Sequence, residues 1–254
     1  HENWTKRVEL TIPAAKVIGP GPHIHFPVYI NEDVVPATFW SAIQAAGEDI
    51  LLTSGDGTTK IPRNLVQLDT ASPYMELWAR APRLVPNETR TLYLYYGNDS
   101  CATQENTAGV WTADFRTVLH LHETAAGTGT ADVYQDVSGY GNHGADYVNP
   151  GGKVGYLYPT GGETFDGADD YILVDAADSL ANLSPLTISA WIYAVDAGEG
   201  GSGFVLDKAL LQMYYAAATA LGLRRDFTAD HLLRISDADL SLEDWHHIMV
   251  CWSG

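Results

Sequence analysis

Along residues 4–12, Val8, Leu10 and Ile12 alternate with Arg7, Glu9 and Thr11, a period of two that predicts a strand with one buried face. Similar alternation, or short runs rich in β-branched and aromatic residues, recurs at 25–30, 48–54, 65–70, 75–82 and 89–97. Turn residues punctuate these runs: Gly-Pro-Gly-Pro before the second, Asn-Glu-Asp after it, and Gly55-Asp56-Gly57 after the third. One stretch, 37–46, predicts a short helix stopped by Gly47. After a polar, aperiodic segment at 97–109 the β pattern resumes at 118–123, 171–175, 186–195, 204–208, 211–217, 231–236 and 245–252. In the last run Trp245, His247, Met249 and Cys251 alternate with His246, Ile248, Val250 and Trp252, which predicts a strand covered on both faces.

Closely spaced strands without long amphipathic helices imply an all-β chain of two β-sandwich domains. The polar segment divides them into 1–103 and 104–254, with limited proteolysis expected to cut first between 97 and 115. The two halves share no repeat.

Charge narrows the partners. With 14 Lys and Arg against 32 Asp and Glu, the net charge of −18 repels phosphate backbones and anionic bilayers. No nucleic acid and no membrane insertion are expected, and no apolar run approaches the ~18 residues of a spanning helix. The two cysteines, Cys101 and Cys251, form neither a disulfide framework nor a zinc motif. The chain opens with His and carries no signal peptide, so a leader has been removed or the sequence starts inside a longer one.

Candidate chemistry is sparse. Gly139-Tyr140-Gly141-Asn142-His143-Gly144 fits the dinucleotide pattern, but the following Ala-Asp-Tyr-Val-Asn-Pro cannot open the helix that a pyrophosphate needs. His23 with His25, and His120 with His122, sit at i, i+2, where one strand face would hold half a metal site or ordinary histidines. Glu32-Asp33, Glu48-Asp49 and Glu243-Asp244 are adjacent pairs that point apart in a strand, unlike the paired carboxylates of a glycosidase. No nucleophile elbow, zincin helix or P-loop occurs, so no catalytic residue is expected and the chain reads as a non-enzyme. Asp136, Asn142, Asp166, Asp169 and Asp170 offer hard oxygen donors in two Gly-rich loops, as a calcium site requires and as plain turn chemistry also does. Among the aromatics, Trp191 and Trp245 fall within strand patterns and read as core. Tyr140, Tyr147, Tyr156 and Tyr158 fall in loops and are the candidate ligand-binding surface.

Three ordered stretches carry a resemblance. Asp136-Val137-Ser138-Gly139-Tyr140-Gly141-Asn142-His143-Gly144, then Phe165-Asp166-Gly167 through Ile172 with Leu186-Thr187-Ile188-Ser189-Ala190-Trp191-Ile192, then Trp245-His246-His247-Ile248 resemble the laminin-G/concanavalin-A-like jelly rolls. The first half is similar to a domain of unknown function, number 2341, through Trp4, Arg7, Phe26-Pro27-Val28, Gly47-Glu48-Asp49-Ile50, Leu77-Trp78-Ala79 and Leu92-Tyr93-Leu94-Tyr95-Tyr96-Gly97-Asn98. The first resemblance implies a jelly roll with a structural calcium. It also implies further strands beyond Gly254, so the roll is expected to be incomplete at the C-terminus, the chain being a fragment or completed by a neighbour.

Two functions follow as expectations. One is an extracellular or particle-surface binding and adhesion protein recognising a glycan or surface glycoconjugate. The other is a structural component of a surface layer, appendage or virus particle, such as a tail, fibre or decoration protein, whose partners are other copies or subunits.

Overall fold

The computed structural model describes residues 2–150, 162–196, 198, 202–208, 211–216, 220–225, 231–236 and 240–252. The chain is all-β, in several antiparallel sheets. It divides into two compact units, one of residues 1–119 with 136–141, the other of 120–135 with 142–254.

The first unit is a sandwich of two three-stranded sheets. Strands β1 (Lys6–Ile12), β6 (Arg90–Tyr96) and β3 (Leu51–Ser54) form one sheet in that order; β2 (His23–Ile30), β5 (Tyr74–Leu84) and β4 (Arg63–Asp69) form the other. Alternation sets the inner faces: Met75, Leu77 and Ala79 of β5 meet Leu92, Leu94 and Tyr96 of β6, with Leu10, Ile30, Phe39 and Leu52 filling the same core. Burying each large side chain contributes ~1.5–3 kcal/mol.

Three local expectations fail here for physical reasons. Residues 37–46 do not form a helix; only Ala37–Phe39 winds, as a 3-10 turn. The Gln44 amide instead donates to Asp49 Oδ1 at 2.8 Å, and the Gln44 side chain donates to the Asn98 carbonyl. Tertiary partners outcompete the helix. Gly47 closes this turn at φ +67°, where an added Cβ would stand 2.7 Å from Leu65 Cδ2. Residues 118–123 are not a strand either: Leu119 makes one bridge to Asp136, and Leu121 turns left-handed at φ 59°. In β2, His25 also sits at φ 57°, which breaks the alternation that would put His23 and His25 on one face.

The unit division differs from 103/104 because the polar segment is tied down. Arg63, 1% exposed, donates to Glu105 at 2.8 Å and to the Gly47 carbonyl. A short helix, α1 (Thr107–Val110), ends at Trp111, whose Nε1 donates to Asn64 and whose ring lies 5.4 Å from that of Trp78. Residues 136–141 return to the same unit, where Asp136 accepts from the Val118 amide and the Tyr140 hydroxyl donates to the Ala113 carbonyl.

Among the described residues, the second unit holds three sheets. Strands β7 (Thr130–Tyr134), β8 (Gly144–Tyr147) and β9 (Tyr171–Val174) form one. A second pairs β10 (Leu186–Tyr193) with β15 (Trp245–Trp252), and a third runs β11 (Ser202–Lys208), β12 (Leu211–Ala216), β13 (Ala220–Arg225), β14 (His231–Ser236). Ile188, Ala190, Ile192, Ile248 and Val250 of the pair pack on Met213, Leu221, Val205 and Leu206 of the four-stranded sheet, a second sandwich core.

Candidate functional site

The five expected oxygen donors are engaged by different local partners. Asp136 belongs to the first unit and is 7% exposed, its carboxylate accepting from the Val118 and Ser138 amides and the Ser138 hydroxyl. Asn142 is buried in the second unit, with Oδ1 accepting from Ser179 at 3.0 Å. Asp166, Asp169 and Asp170 do converge, each offering an oxygen within 4.8 Å of the others.

Local bonding shapes that triad. Asp166 Oδ1 accepts from the Ala168 amide at 2.8 Å and the Asp169 amide at 3.3 Å. The Ala168 bond leads the causes that hold Asp166 below the ordinary carboxylate range. Asp170 Oδ1 accepts both the amide and the side chain of Asn149 at 2.8 Å, which ties the loop to the end of β8. Turn-forming bonds therefore account for the convergence, and a hard cation would be chemically compatible with it.

The expected tyrosines also divide. Tyr140 is 37% exposed, and Arg116 lies over its ring and donates to its hydroxyl. Tyr147 is half-buried and stacks on Tyr171 of β9, with centroids 4.6 Å apart and planes 9° from parallel. Tyr156 and Tyr158 lie outside the described residues.

A paired, exposed aromatic surface lies where the sequence predicts core. Trp191, expected in the core, is 48% exposed, and Tyr193 is 39% exposed. Ile188, Ala190 and Ile192 take the inner positions of β10, so Thr187, Ser189, Trp191 and Tyr193 point outward. Across the ladder Tyr193 faces Trp245, Trp191 faces His247, Ser189 faces Met249 and Thr187 faces Cys251. The Trp191 and His247 rings are 5.0 Å apart, those of Tyr193 and Trp245 are 5.5 Å apart, and Ser189 Oγ lies 2.8 Å from His247 Nε2. Strand β15 is thus covered on one face and open on the other, where Met249 is 59% exposed. The available signal was the i, i+2 pairing of Trp191 and Tyr193 opposite Ile188, Ala190 and Ile192; aromatic strand residues fit either face.

The histidine pair of residues 120 and 122 has ring centroids 6.5 Å apart. Burial, with His122 beside it, lowers the His120 pKa to about 4. The depressed value means that the unfolded chain binds a proton before the folded one does. The stability contributed by neutral His120 is therefore expected to be lost as pH drops from ~6.5 toward 4, by about 3 kcal/mol, with no further change from this group below. Denaturant midpoints across that range, compared with His120→Gln, check the slope, which the variant should flatten.

Among known families, residues 46–139 match the one described as Domain of unknown function (DUF2341). The match covers more than a third of the chain and runs past residue 103 to Gly139, within the 136–141 segment that packs with the first unit. No curated protein and no solved structure matches the chain.

Proposed function

We propose that the chain is a non-enzymatic binding and adhesion protein of an extracellular or particle surface, whose second unit is a laminin-G-like jelly roll that recognises carbohydrate. The observation that carries this reading is the outward face of β10 and β15, where Trp191, Tyr193, Trp245 and His247 stand together in two adjoining cross-strand pairs. Aromatic faces stack on the apolar C–H face of a pyranose. Ile188, Ala190 and Ile192 anchor the strand from beneath, so the rings are pre-positioned and little ordering entropy opposes binding. A glycan array probed with the full chain and with Trp191→Ala tests it: array signal lost in the variant supports the reading, and a blank array for the parent chain refutes it.

Calcium belongs to this proposal as a structural ion held by Asp166, Asp169 and Asp170. An ion bound only by the folded form raises stability by linkage. Millimolar calcium is expected to raise the melting temperature of the parent and not that of Asp166→Asn with Asp169→Asn. Equal curves with and without calcium in the parent would remove the ion from the account.

A second reading, a structural component of a surface assembly or virus particle, draws on the first unit. There Ile24 and Phe26 on edge strand β2 are 56% and 49% exposed, beside Ile18 at 75%. An apolar sheet edge favours association with other copies or subunits.

A further inference from the structure

We infer that the ligand of the β10–β15 face is an uncharged polysaccharide of equatorially substituted pyranoses, held along its length rather than by its end. This rests on the carbohydrate-binding reading above and names the class of sugar.

The chemistry of the face selects against charge. Its eight side chains are Thr187, Ser189, Trp191, Tyr193, Trp245, His247, Met249 and Cys251, with no carboxylate, ammonium or guanidinium among them. Sulfated or uronic polymers are recognised by cations, above all by paired arginine donors, and this face supplies none. The chain's net charge of −18 adds a repulsive field against any polyanion.

The polar groups of its non-aromatic rows and its imidazole are already engaged with one another. Ser189 Oγ bonds His247 Nε2 at 2.8 Å, and Thr187 Oγ1 lies 3.5 Å from Cys251 Sγ. Discrimination therefore falls to the ring faces, which need a flat C–H surface on the sugar. Pyranoses with equatorial substituents present that surface, because their axial positions carry only hydrogen.

The geometry of the face selects for length. The ladder runs from Leu186 opposite Trp252 to Tyr193 opposite Trp245 without a register break. Outward rows recur every second residue, about 7 Å apart, so the four rows span about 20 Å. Two rows are aromatic pairs; the next two carry Ser189 with Met249 and Thr187 with Cys251. Recognition of a chain end requires a walled pocket. An open strand pair with rings on two adjoining rows suits a polymer laid across successive rows, and each added sugar covers another part of the face.

Affinity electrophoresis of the full chain through hydroxyethylcellulose and soluble xylan, with heparin and polygalacturonate as polyanions, tests the class. Titration with cello-oligosaccharides from the disaccharide to the hexasaccharide tests the length. Retardation by the neutral polymers alone is expected, with affinity rising along the series. Trp191→Ala is expected to weaken binding about tenfold at an unchanged melting temperature, with Trp191→Phe retaining part of it. Binding to polyanions, or to a monosaccharide as tightly as to the hexasaccharide, overturns this inference while leaving carbohydrate recognition standing. No binding to any sugar removes both. Self-association by sedimentation that Trp191→Ala abolishes, without sugar binding, would assign the face to a second copy.

Discussion

Replacing Asp49 by alanine is expected to destabilise the first unit by about 3–5 kcal/mol, a large share of a domain's stability. Asp49 is 0% exposed and sits where β3, β6 and the turn of residues 44–47 meet. Its Oδ1 accepts the Gln44 amide at 2.8 Å, and its Oδ2 accepts the Gly97 and Asn98 amides at 2.7 and 3.1 Å. Its own carbonyl accepts Trp4 Nε1. Alanine leaves three amide donors without an acceptor in a site that water enters only at a cost. Urea midpoints followed by tryptophan fluorescence check the expectation. A loss under 1 kcal/mol would mean that solvent reaches those amides and that the turn is not held as described.

Asp146→Ala is expected to have a comparable effect in the second unit, about 3–5 kcal/mol. The side chain is 1% exposed on β8. Oδ2 accepts the Ala126 and Gly127 amides at 2.7 and 3.1 Å, and Oδ1 accepts the Val148 amide and the Tyr134 hydroxyl. Burial pushes this carboxyl upward, and the bonds from Ala126, Val148, Tyr134 and Gly127 together hold it below the ordinary range. A depressed carboxyl stabilises above its unfolded pKa and loses that contribution as pH falls through the folded one. The Asp146 contribution should therefore be lost as pH falls below ~4, and Asp146→Asn should remove that share of the acid dependence. Asparagine keeps the oxygen for one pair of donors and sets an NH₂ against the other, so its stability should fall between parent and alanine.

Much of the architecture was legible because strand periodicity is a local property. Val8, Leu10 and Ile12, or Leu92 and Leu94, need only alternate to declare their inner face. What failed was set by distant partners. The 37–46 stretch has helical propensity, but the Asn98 carbonyl, 54 residues on, holds the Gln44 side chain in a turn. The division between units was hidden because Arg63 and Asn64, some 40 residues away, hold Glu105 and Trp111. Among site residues, the Asp166, Asp169 and Asp170 cluster was readable from one loop, whereas the turn bonds that engage Asp136 and the Ser179 hydroxyl on Asn142 were not. The β10–β15 face was missed because apolar content alone does not say which side of a strand is covered. Only Ile248 and Val250 packing against Met213 turned Trp191 outward.

Carbohydrate recognition by that face is the central claim, and calorimetric titration tests it most directly. The strongest array glycan would be added to the full chain and to Trp191→Ala, with melting curves recorded for both. The account predicts saturable binding by the parent and about tenfold weaker binding by the variant, at equal melting temperatures. Equal affinity in the two proteins would contradict it.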